Sequence, residues 1–135
     1  MESTPQTYTL PYDKLVIAVG SFSNTFNIPG VSENAFFLKD ISNARAIRAR
    51  IIECFEKAAQ PNTTEKKQIQ LLHFAIIGGG PTGIEFGAEL HDFIRDDVSR
   101  LYPGLINKVQ ITIYDVAEKI LSSFDSELAE CTDKE

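Results

Sequence analysis

The segment His73-Phe-Ala-Ile-Ile-Gly-Gly-Gly-Pro-Thr-Gly83 is the most informative part of this 135-residue chain for its fold. Its first five residues are mostly apolar and predict a buried strand, and the glycines that follow have the GxGxxG spacing of a tight turn that opens a helix. Pro81 suits the first position of that helix, where a backbone N–H would have no helical partner. The stretch therefore predicts a strand, a glycine turn and a helix in immediate succession.

Downstream, the sequence predicts the rest of a strand–helix–strand (βαβ) unit. The helix is expected to run from Pro81 to Leu101 and to stop at Tyr102-Pro-Gly104. The alternating segment Val109–Tyr114 then predicts a second strand, parallel to the first, with Asp115 at its carboxyl end. The helix residues expected to face the sheet are Ile84, Ala88, His91, Val98 and Leu101, with Gly87, Leu90 and Ile94 beside them.

The glycine turn has the chemistry of a dinucleotide-binding site. Gly78 lets the chain turn sharply, Gly80 leaves room for a pyrophosphate against the backbone, and Gly83 allows the helix to pack closely on the sheet. Free N–H groups at the helix start, aided by the helix dipole, would hold the phosphates. The predicted binding residues of the turn are Gly78, Gly79, Gly80, Pro81, Thr82 and Gly83. The simpler alternative is a plain tight turn.

Asp115 is the second part of the predicted site. At the end of the second strand, its carboxylate is placed to accept hydrogen bonds from ribose hydroxyls and to repel a 2′-phosphate, which favours NADH over NADPH. It lies 32 residues after Gly83, whereas the usual fingerprint has about 20. The long helix and the loop after it account for the excess. The alternative is a solvent-facing strand end.

Upstream of the motif, short apolar runs predict further strands. Leu15–Val19 is a continuous apolar run and predicts a strand buried on both faces, with Thr7–Leu10 as its partner. Ala35–Leu38 predicts another short strand, and Ile28-Pro-Gly-Val31 predicts a turn.

A long helix and a polar connector lie between these strands and the glycine motif. From Ile41 the apolar residues recur every three or four positions, which predicts an amphipathic helix of about five turns, capped by Asp40 or Ser42. The connector at 61–72 contains a short predicted helix, Thr64–Leu71, and is the best candidate for a domain boundary. The stripe of the long helix is Ala44, Ile47, Ile51, Phe55 and Ala58.

Composition bounds the function. The chain is 43% hydrophobic and 24% charged, as expected of one soluble domain. Its net charge of −6 argues against nucleic acid as a partner. Cys54 and Cys131 form no CxxC pair, so no zinc ribbon, other metal site or dithiol centre is predicted. No apolar run reaches the roughly 18 residues of a membrane span, and no targeting segment is recognisable at the amino terminus.

Four segments carry a resemblance to a known family: Leu10-Pro-Tyr-Asp-Lys-Leu-Val-Ile-Ala-Val-Gly20, Asn24-Thr-Phe-Asn-Ile-Pro-Gly-Val31, Phe37-Leu-Lys-Asp40 and Ile77-Gly-Gly-Gly-Pro-Thr-Gly-Ile-Glu-Phe-Gly-Ala-Glu-Leu90. They closely resemble type II (alternative, rotenone-insensitive, non-proton-pumping) NADH dehydrogenases, in particular the fungal mitochondrial ones, within the pyridine nucleotide-disulfide oxidoreductase superfamily. The resemblance covers nearly all of residues 10–130, and Asp92–Pro103 is similar to the family's unusually long helix.

The resemblance implies an α/β flavoprotein with two dinucleotide-binding domains, which passes hydride from NADH to FAD and electrons to ubiquinone. Ala18, Val19 and Gly20 would pack near the flavin cofactor, and Glu85, in the first helical turn, would act catalytically at the nicotinamide–flavin junction. The alternative for Glu85 is an acid that complements the helix dipole. Asp115 stands where many members have Glu. The resemblance also implies a respiratory-chain enzyme of the mitochondrial inner membrane, peripherally attached, with a homodimer as one state.

The resemblance assigns the chain to parts of such a flavoprotein. Residues 1–60 would be the C-terminal part of the first FAD-domain segment with a linking helix, 61–72 a connector, and 73–135 the N-terminal half of a Rossmann-like NADH-binding domain. The family's FAD-binding glycine motif has no counterpart upstream of Tyr12. We therefore expect an internal piece of the enzyme, marginally stable and inactive alone.

Three alternatives stay open at this point. Another FAD- and NAD(P)-dependent reductase, a relative of ferredoxin or disulfide reductases, would share the two domains, although the Asp92–Pro103 extension speaks against it. A non-catalytic nucleotide-binding or interaction module would explain the missing FAD motif. A methyltransferase could share the glycine turn and the strand-end acid, but its helix start resembles Pro81-Thr82 little.

Overall fold

The computed structural model describes residues 7–117. The chain divides into two compact units, residues 1–39 and 40–135. In the first unit the described residues contain one short helix, α1 (Val31–Asn34). The second unit contains, in chain order, α2 (Ile41–Ala58), α3 (Glu65–Leu71), β1 (His73–Ile77), α4 (Pro81–Phe93), a π-helical turn (Ile94–Val98), α5 (Ser99–Leu101), a 3-10 helix (Pro103–Lys108) and β2 (Gln110–Tyr114).

The predicted βαβ unit is confirmed. Strands β1 and β2 pair in parallel, from His73 opposite Gln110 to Ile77 opposite Tyr114. Helix α4 packs on this sheet at Gly87, because a Cβ placed there would lie 3.2 Å from Cδ1 of Ile113 on β2. The part of the predicted NADH domain beyond residue 117, including Cys131, lies outside the described residues.

Strand β1 is buried on one face, and this differs from the fully buried strand that its apolar run predicts. Ile76 is 9% exposed, whereas its neighbour Ile77 is 81% exposed. Successive side chains of a strand point to opposite faces, so the face that Ile76 shares with α4 is covered. Within residues 7–117 no second helical layer covers the face that carries Ile77.

Helix α2 has the bounds that its periodicity predicts, and its predicted stripe is buried at Ile51, Phe55 and Ala58 but not at Ala44, which is exposed. Its amino end is a capping box: the Asp40 carboxylate accepts from the backbone N–H of Asn43, and the Asn43 side chain accepts from the N–H of Asp40. Phe55 is fully buried, and its ring stacks on Tyr102 at 5.6 Å between centroids. Cys54 joins the same core, and burial raises the pKa of its thiol. Helix α2 therefore shares one core with the βαβ unit.

The helical stretch from α4 through α5 has the predicted length but a different buried face. Its buried residues are Gly87, Leu90, Ile94 and Val98. Ala88 and His91 are exposed, and the helix approaches the sheet through Gly87 instead. The π-helical turn contains one residue more than an α-turn and rotates the following residues, so Leu101 is 73% exposed.

The prediction of strands in the first unit is wrong for the described residues 7–39, which contain no strand. Val16 and Val19 are 86% and 91% exposed. A β-strand requires a hydrogen-bonded neighbour, and an apolar run alone does not supply one. The predicted turn is present: the N–H of Val31 donates to the carbonyl of Ile28 at 3.3 Å.

A second turn in the first unit holds two residues in the left-handed backbone region. The N–H of Ile28 donates to the carbonyl of Thr25 at 3.0 Å, and the residues between them, Phe26 and Asn27, have φ angles of 51° and 54°. The side chain of Asn24 accepts the N–H of Phe26 at 2.9 Å. A positive φ is unfavourable for a bulky residue such as Phe, so this turn is locally strained.

Candidate dinucleotide-binding site

The glycine turn begins where β1 leaves the sheet. The N–H of Gly78 still donates to the carbonyl of Tyr114 at 2.8 Å, which continues the β1–β2 pairing by one residue. Gly78 then adopts a φ of 114°, a backbone region that glycine alone enters without steric cost. The chain therefore turns out of the sheet within one residue of the end of β1.

Gly83 is required because the turn and the helix touch there. A Cβ at this position would lie 1.9 Å from the carbonyl oxygen of Gly78. No side chain can occupy that space, so Gly83 lets the first turn of α4 lie directly against the loop that precedes it. The glycine spacing of the sequence thus corresponds to a backbone-to-backbone contact.

The amino end of α4 is open toward solvent. Gly80 is the N-cap and provides no side-chain hydrogen bond, Pro81 is the first helical residue, and both are exposed. A Cβ placed on Gly80 would meet no atom within 4 Å. Thr82 is exposed beside them. An uncapped helix start with free N–H groups attracts an anion, and here an anion has room to reach the backbone.

The carboxylate of Asp115 lies at the same corner. Its Oδ2 accepts the backbone N–H of Gly79, and its Oδ1 accepts the N–H of Ala117 at 2.7 Å. These hydrogen bonds lower the pKa of Asp115, and the bond from Ala117 has the larger effect. The group is exposed and ionised at neutral pH. The sequence places Asp115 at the strand end, but its bond to Gly79 follows from the strand register.

The other predicted site residues are Glu85 and residues 18–20. Glu85 is the fifth residue of α4, so its predicted place in the first helical turn is wrong and it begins the second turn. Its side chain is exposed. Ala18, Val19 and Gly20 belong to the first compact unit and are all exposed. The structure therefore brings together the turn and Asp115, while the roles of Glu85 and of residues 18–20 stay predictions.

Residues 7–117 contain neither a candidate metal-binding cluster nor a helix suited to span a membrane. In that part of the chain, no group of three or more His, Cys, Asp or Glu side chains is arranged to hold a metal ion. None of the helices described there combines the length and the apolar character needed to cross a bilayer.

A parallel βαβ unit with an uncapped, glycine-lined helix start and a strand-end carboxylate defines a dinucleotide-binding domain of the Rossmann type. The chain belongs to the pyridine nucleotide-disulphide oxidoreductase family, whose model it matches over residues 2–135.

The chain is also similar to individual members of that family. It is 50% identical over 123 residues to the external alternative NAD(P)H-ubiquinone oxidoreductase B3 of Arabidopsis thaliana mitochondria, covering 91% of this chain and 21% of that protein. It is 43% identical over 125 residues to the external alternative NADH-ubiquinone oxidoreductase of Yarrowia lipolytica mitochondria, covering 93% of this chain and 21% of that protein. The chain thus spans about a fifth of the length of these relatives.

A solved structure gives the same result for the fold. NDH2 of Plasmodium falciparum, determined in complex with NADH, superposes with a TM-score of 0.80 at 38% sequence identity. The superposition covers 83% of this chain and 23% of the other. The α/β dinucleotide-binding fold expected from the sequence is therefore confirmed for this chain.

Proposed function

We propose that this chain forms the NADH-binding part of a type II NADH:ubiquinone oxidoreductase. The observation that carries the proposal is the open corner formed by the glycine turn and Asp115. Similarity to quinone-reducing enzymes of plants and fungi, and to a structure determined with NADH, supports the same activity. NADH and ubiquinone are then the substrates of the whole protein.

The described residues fit the diphosphate and ribose of NADH. The exposed N-cap Gly80 leaves backbone N–H groups of the first turn, including those of Thr82 and Gly83, available to phosphate oxygens. Each Asp115 oxygen has acceptor capacity beyond the backbone hydrogen bonds that the carboxylate already accepts, so it can also accept hydrogen bonds from ribose hydroxyls. Its negative charge, sustained by its lowered pKa, disfavours a 2′-phosphate and hence NADPH.

Glu85 is proposed to orient the nicotinamide carboxamide or to relay a proton at the junction with the flavin. Its exposed carboxylate is available for either task. Glu85 begins the second turn of α4. Its carboxylate therefore interacts more weakly with the helix dipole than an acid in the first turn would. The exposure of the side chain supports a contact outside this chain.

FAD is proposed as the cofactor of the whole protein, and when bound it supplies the electron-accepting chemistry. Ala18, Val19 and Gly20 are exposed in this chain, so a flavin packed near them would be enclosed by other parts of the whole protein. A non-catalytic nucleotide-binding role for this chain is the second candidate, because it requires only the open glycine turn and Asp115.

We infer that the whole protein is located in mitochondria, at the inner membrane, because the relatives are mitochondrial. Peripheral membrane attachment and a homodimer are parts of the same proposal. Nucleic acid is not expected as a partner, because the net charge is −6.

Isothermal titration calorimetry of the full chain with NADH and NADPH tests the binding proposal, with Gly80→Ala as the informative variant. Gly80 has a φ of −75° and open space at its Cβ position, so alanine is tolerated by the fold but obstructs the phosphate path. Gly104→Ala is the matched control, since its Cβ would also meet nothing within 4 Å.

We expect NADH to bind the parent chain and Gly104→Ala, and Gly80→Ala to bind it at least tenfold more weakly. Equal NADH affinity for all three proteins would rule out phosphate binding at this turn. Preference for NADPH would contradict the role of Asp115. Rotenone-insensitive NADH:quinone activity in the whole protein separates the enzyme from the non-catalytic module.

A further inference from the structure

Two successive backbone groups of the glycine turn are held by two successive residues at the end of β2. The N–H of Gly78 donates to the carbonyl of Tyr114, and the N–H of Gly79 donates to the side chain of Asp115. The next residue, Gly80, is already the N-cap of α4. The point at which the helix starts is therefore tied to the end of the second strand.

The contact between Asp115 and Gly79 is close as well as directional. A Cβ on Gly79 would lie 3.1 Å from Oδ2 of Asp115 and 3.2 Å from its Cβ. Gly79 is buried, while Gly80 beside it is exposed. The carboxylate thus packs on the backbone of the one turn residue that separates the sheet from the helix start.

This arrangement places the negative charge of Asp115 close to the proposed phosphate site. A carboxylate close to a site for phosphates repels them. If Asp115 acted on phosphates through its charge alone, its removal would strengthen phosphate binding. If Asp115 acts by holding the turn, removal of its hydrogen-bond acceptor would weaken phosphate binding despite the lost repulsion. The two effects have opposite signs, so their sum reveals the dominant one.

We propose that Asp115 is a positioning residue for the phosphate-binding turn. By accepting the N–H of Gly79, it fixes the start of α4 so that the first-turn N–H groups face a bound diphosphate. This role is separate from any hydrogen bond to ribose. It rests on the proposed dinucleotide binding at the same turn.

The test uses inorganic pyrophosphate, which has no ribose, and NADH, both titrated by calorimetry into the full chain. Asp115→Ala removes the acceptor and the charge, whereas Asp115→Asn removes the charge but keeps an acceptor oxygen. Glu89→Gln removes a charge from an exposed position on α4 and serves as the charge control. The backbone amide resonance of Gly79 in a nitrogen-15 correlation spectrum reports the hydrogen bond in each ligand-free protein.

We expect Asp115→Ala to bind pyrophosphate at least tenfold more weakly and to shift the Gly79 resonance upfield. Asp115→Asn should restore pyrophosphate binding to within threefold of the parent and retain most of the resonance position. These results together indicate positioning. An effect of charge alone would leave pyrophosphate binding by both Asp115 variants as tight as in the parent or tighter, as is expected for Glu89→Gln.

Several results would overturn the inference. Pyrophosphate binding that is unchanged or tighter in Asp115→Ala, or an unmoved Gly79 resonance, excludes a positioning role. Weaker NADH binding with unchanged pyrophosphate binding would leave a ribose contact only. Should Asp115→Ala lose its near-ultraviolet circular dichroism, Asp115→Asn decides, since pyrophosphate binding at least tenfold weaker in Asp115→Asn with the Gly79 resonance in its parent position contradicts positioning. A parent chain that binds pyrophosphate but not NADH contradicts the proposed function alone.

Discussion

Replacement of Gly83 by alanine is the most direct test of how the turn is built. The new Cβ would lie 1.9 Å from the carbonyl oxygen of Gly78, whereas close carbon–oxygen contacts are about 3.3 Å. The two atoms must therefore separate by about 1.4 Å. Both belong to backbone that is held on either side, Gly78 by its bond to Tyr114 and Gly83 by helix α4.

The expected loss of stability follows from that geometry. Overpacking typically costs about 1–3 kcal/mol, and a collision with backbone belongs at the upper end, about 3 kcal/mol. For a chain of this length, a loss of that size lowers the melting temperature by roughly 10 °C. Gly104→Ala, whose Cβ would meet nothing within 4 Å, should change it by no more than roughly 2 °C.

The assay is thermal unfolding of the full chain, followed by far- and near-ultraviolet circular dichroism. A Gly83→Ala protein that melts within about 2 °C of the parent would show that the backbone contact is not formed in solution. Loss of the cooperative transition in Gly83→Ala alone would agree with the prediction. The same loss in Gly104→Ala would instead indicate general sensitivity to substitution and would contradict the geometric explanation.

Three further changes are predicted from the same structure. Phe55→Ala should cost about 3–5 kcal/mol in chemical unfolding because Phe55 is fully buried, whereas Phe36→Ala should stay within about 0.5 kcal/mol because Phe36 is 55% exposed; equal costs would contradict the assigned core. Phe26→Gly should relieve the strain of a φ of 51° and raise the unfolding free energy by about 1 kcal/mol, while Phe22→Gly, at a position without positive φ, should not; a gain in both would point to removal of exposed apolar surface instead. The pKa of Asp115 is lowered by its backbone hydrogen bonds, so its stabilisation is present above the unfolded pKa of about 3.9 and is lost as the pH falls through the folded value. The melting-temperature difference between the parent and Asp115→Asn should therefore shrink on acidification below about pH 4, and a constant difference would contradict this assignment.

The βαβ unit was predictable because its signals are local. The apolar strand, the glycine spacing and Pro81 at the helix start all specify structure within a few residues. Helix α2 was predictable for the same reason, since its stripe and its Asp40 cap lie within one segment. In both cases the predicted and observed bounds agree to within a few residues.

The features that sequence reasoning missed depend on distant residues or on backbone irregularity. Leu15–Val19 has the composition of a buried strand, but the described chain supplies no neighbour for it. The bond between Asp115 and Gly79 depends on the β1–β2 register, which the sequence of neither strand specifies alone. The outward position of Leu101 depends on the π-helical turn, which ordinary helical periodicity does not reveal.

That π-helical turn makes the chain more sensitive to changes in length than to changes in side chain. Residues before and after Ile94–Val98 follow different rotational phases around one axis, and Tyr102, which stacks on Phe55, lies after the change of phase. Deleting one residue here would restore an ordinary α-helix, bring Leu101 inward and carry Tyr102 away from its partner. Families that share this long helix should therefore tolerate varied residues within it while keeping its residue count fixed.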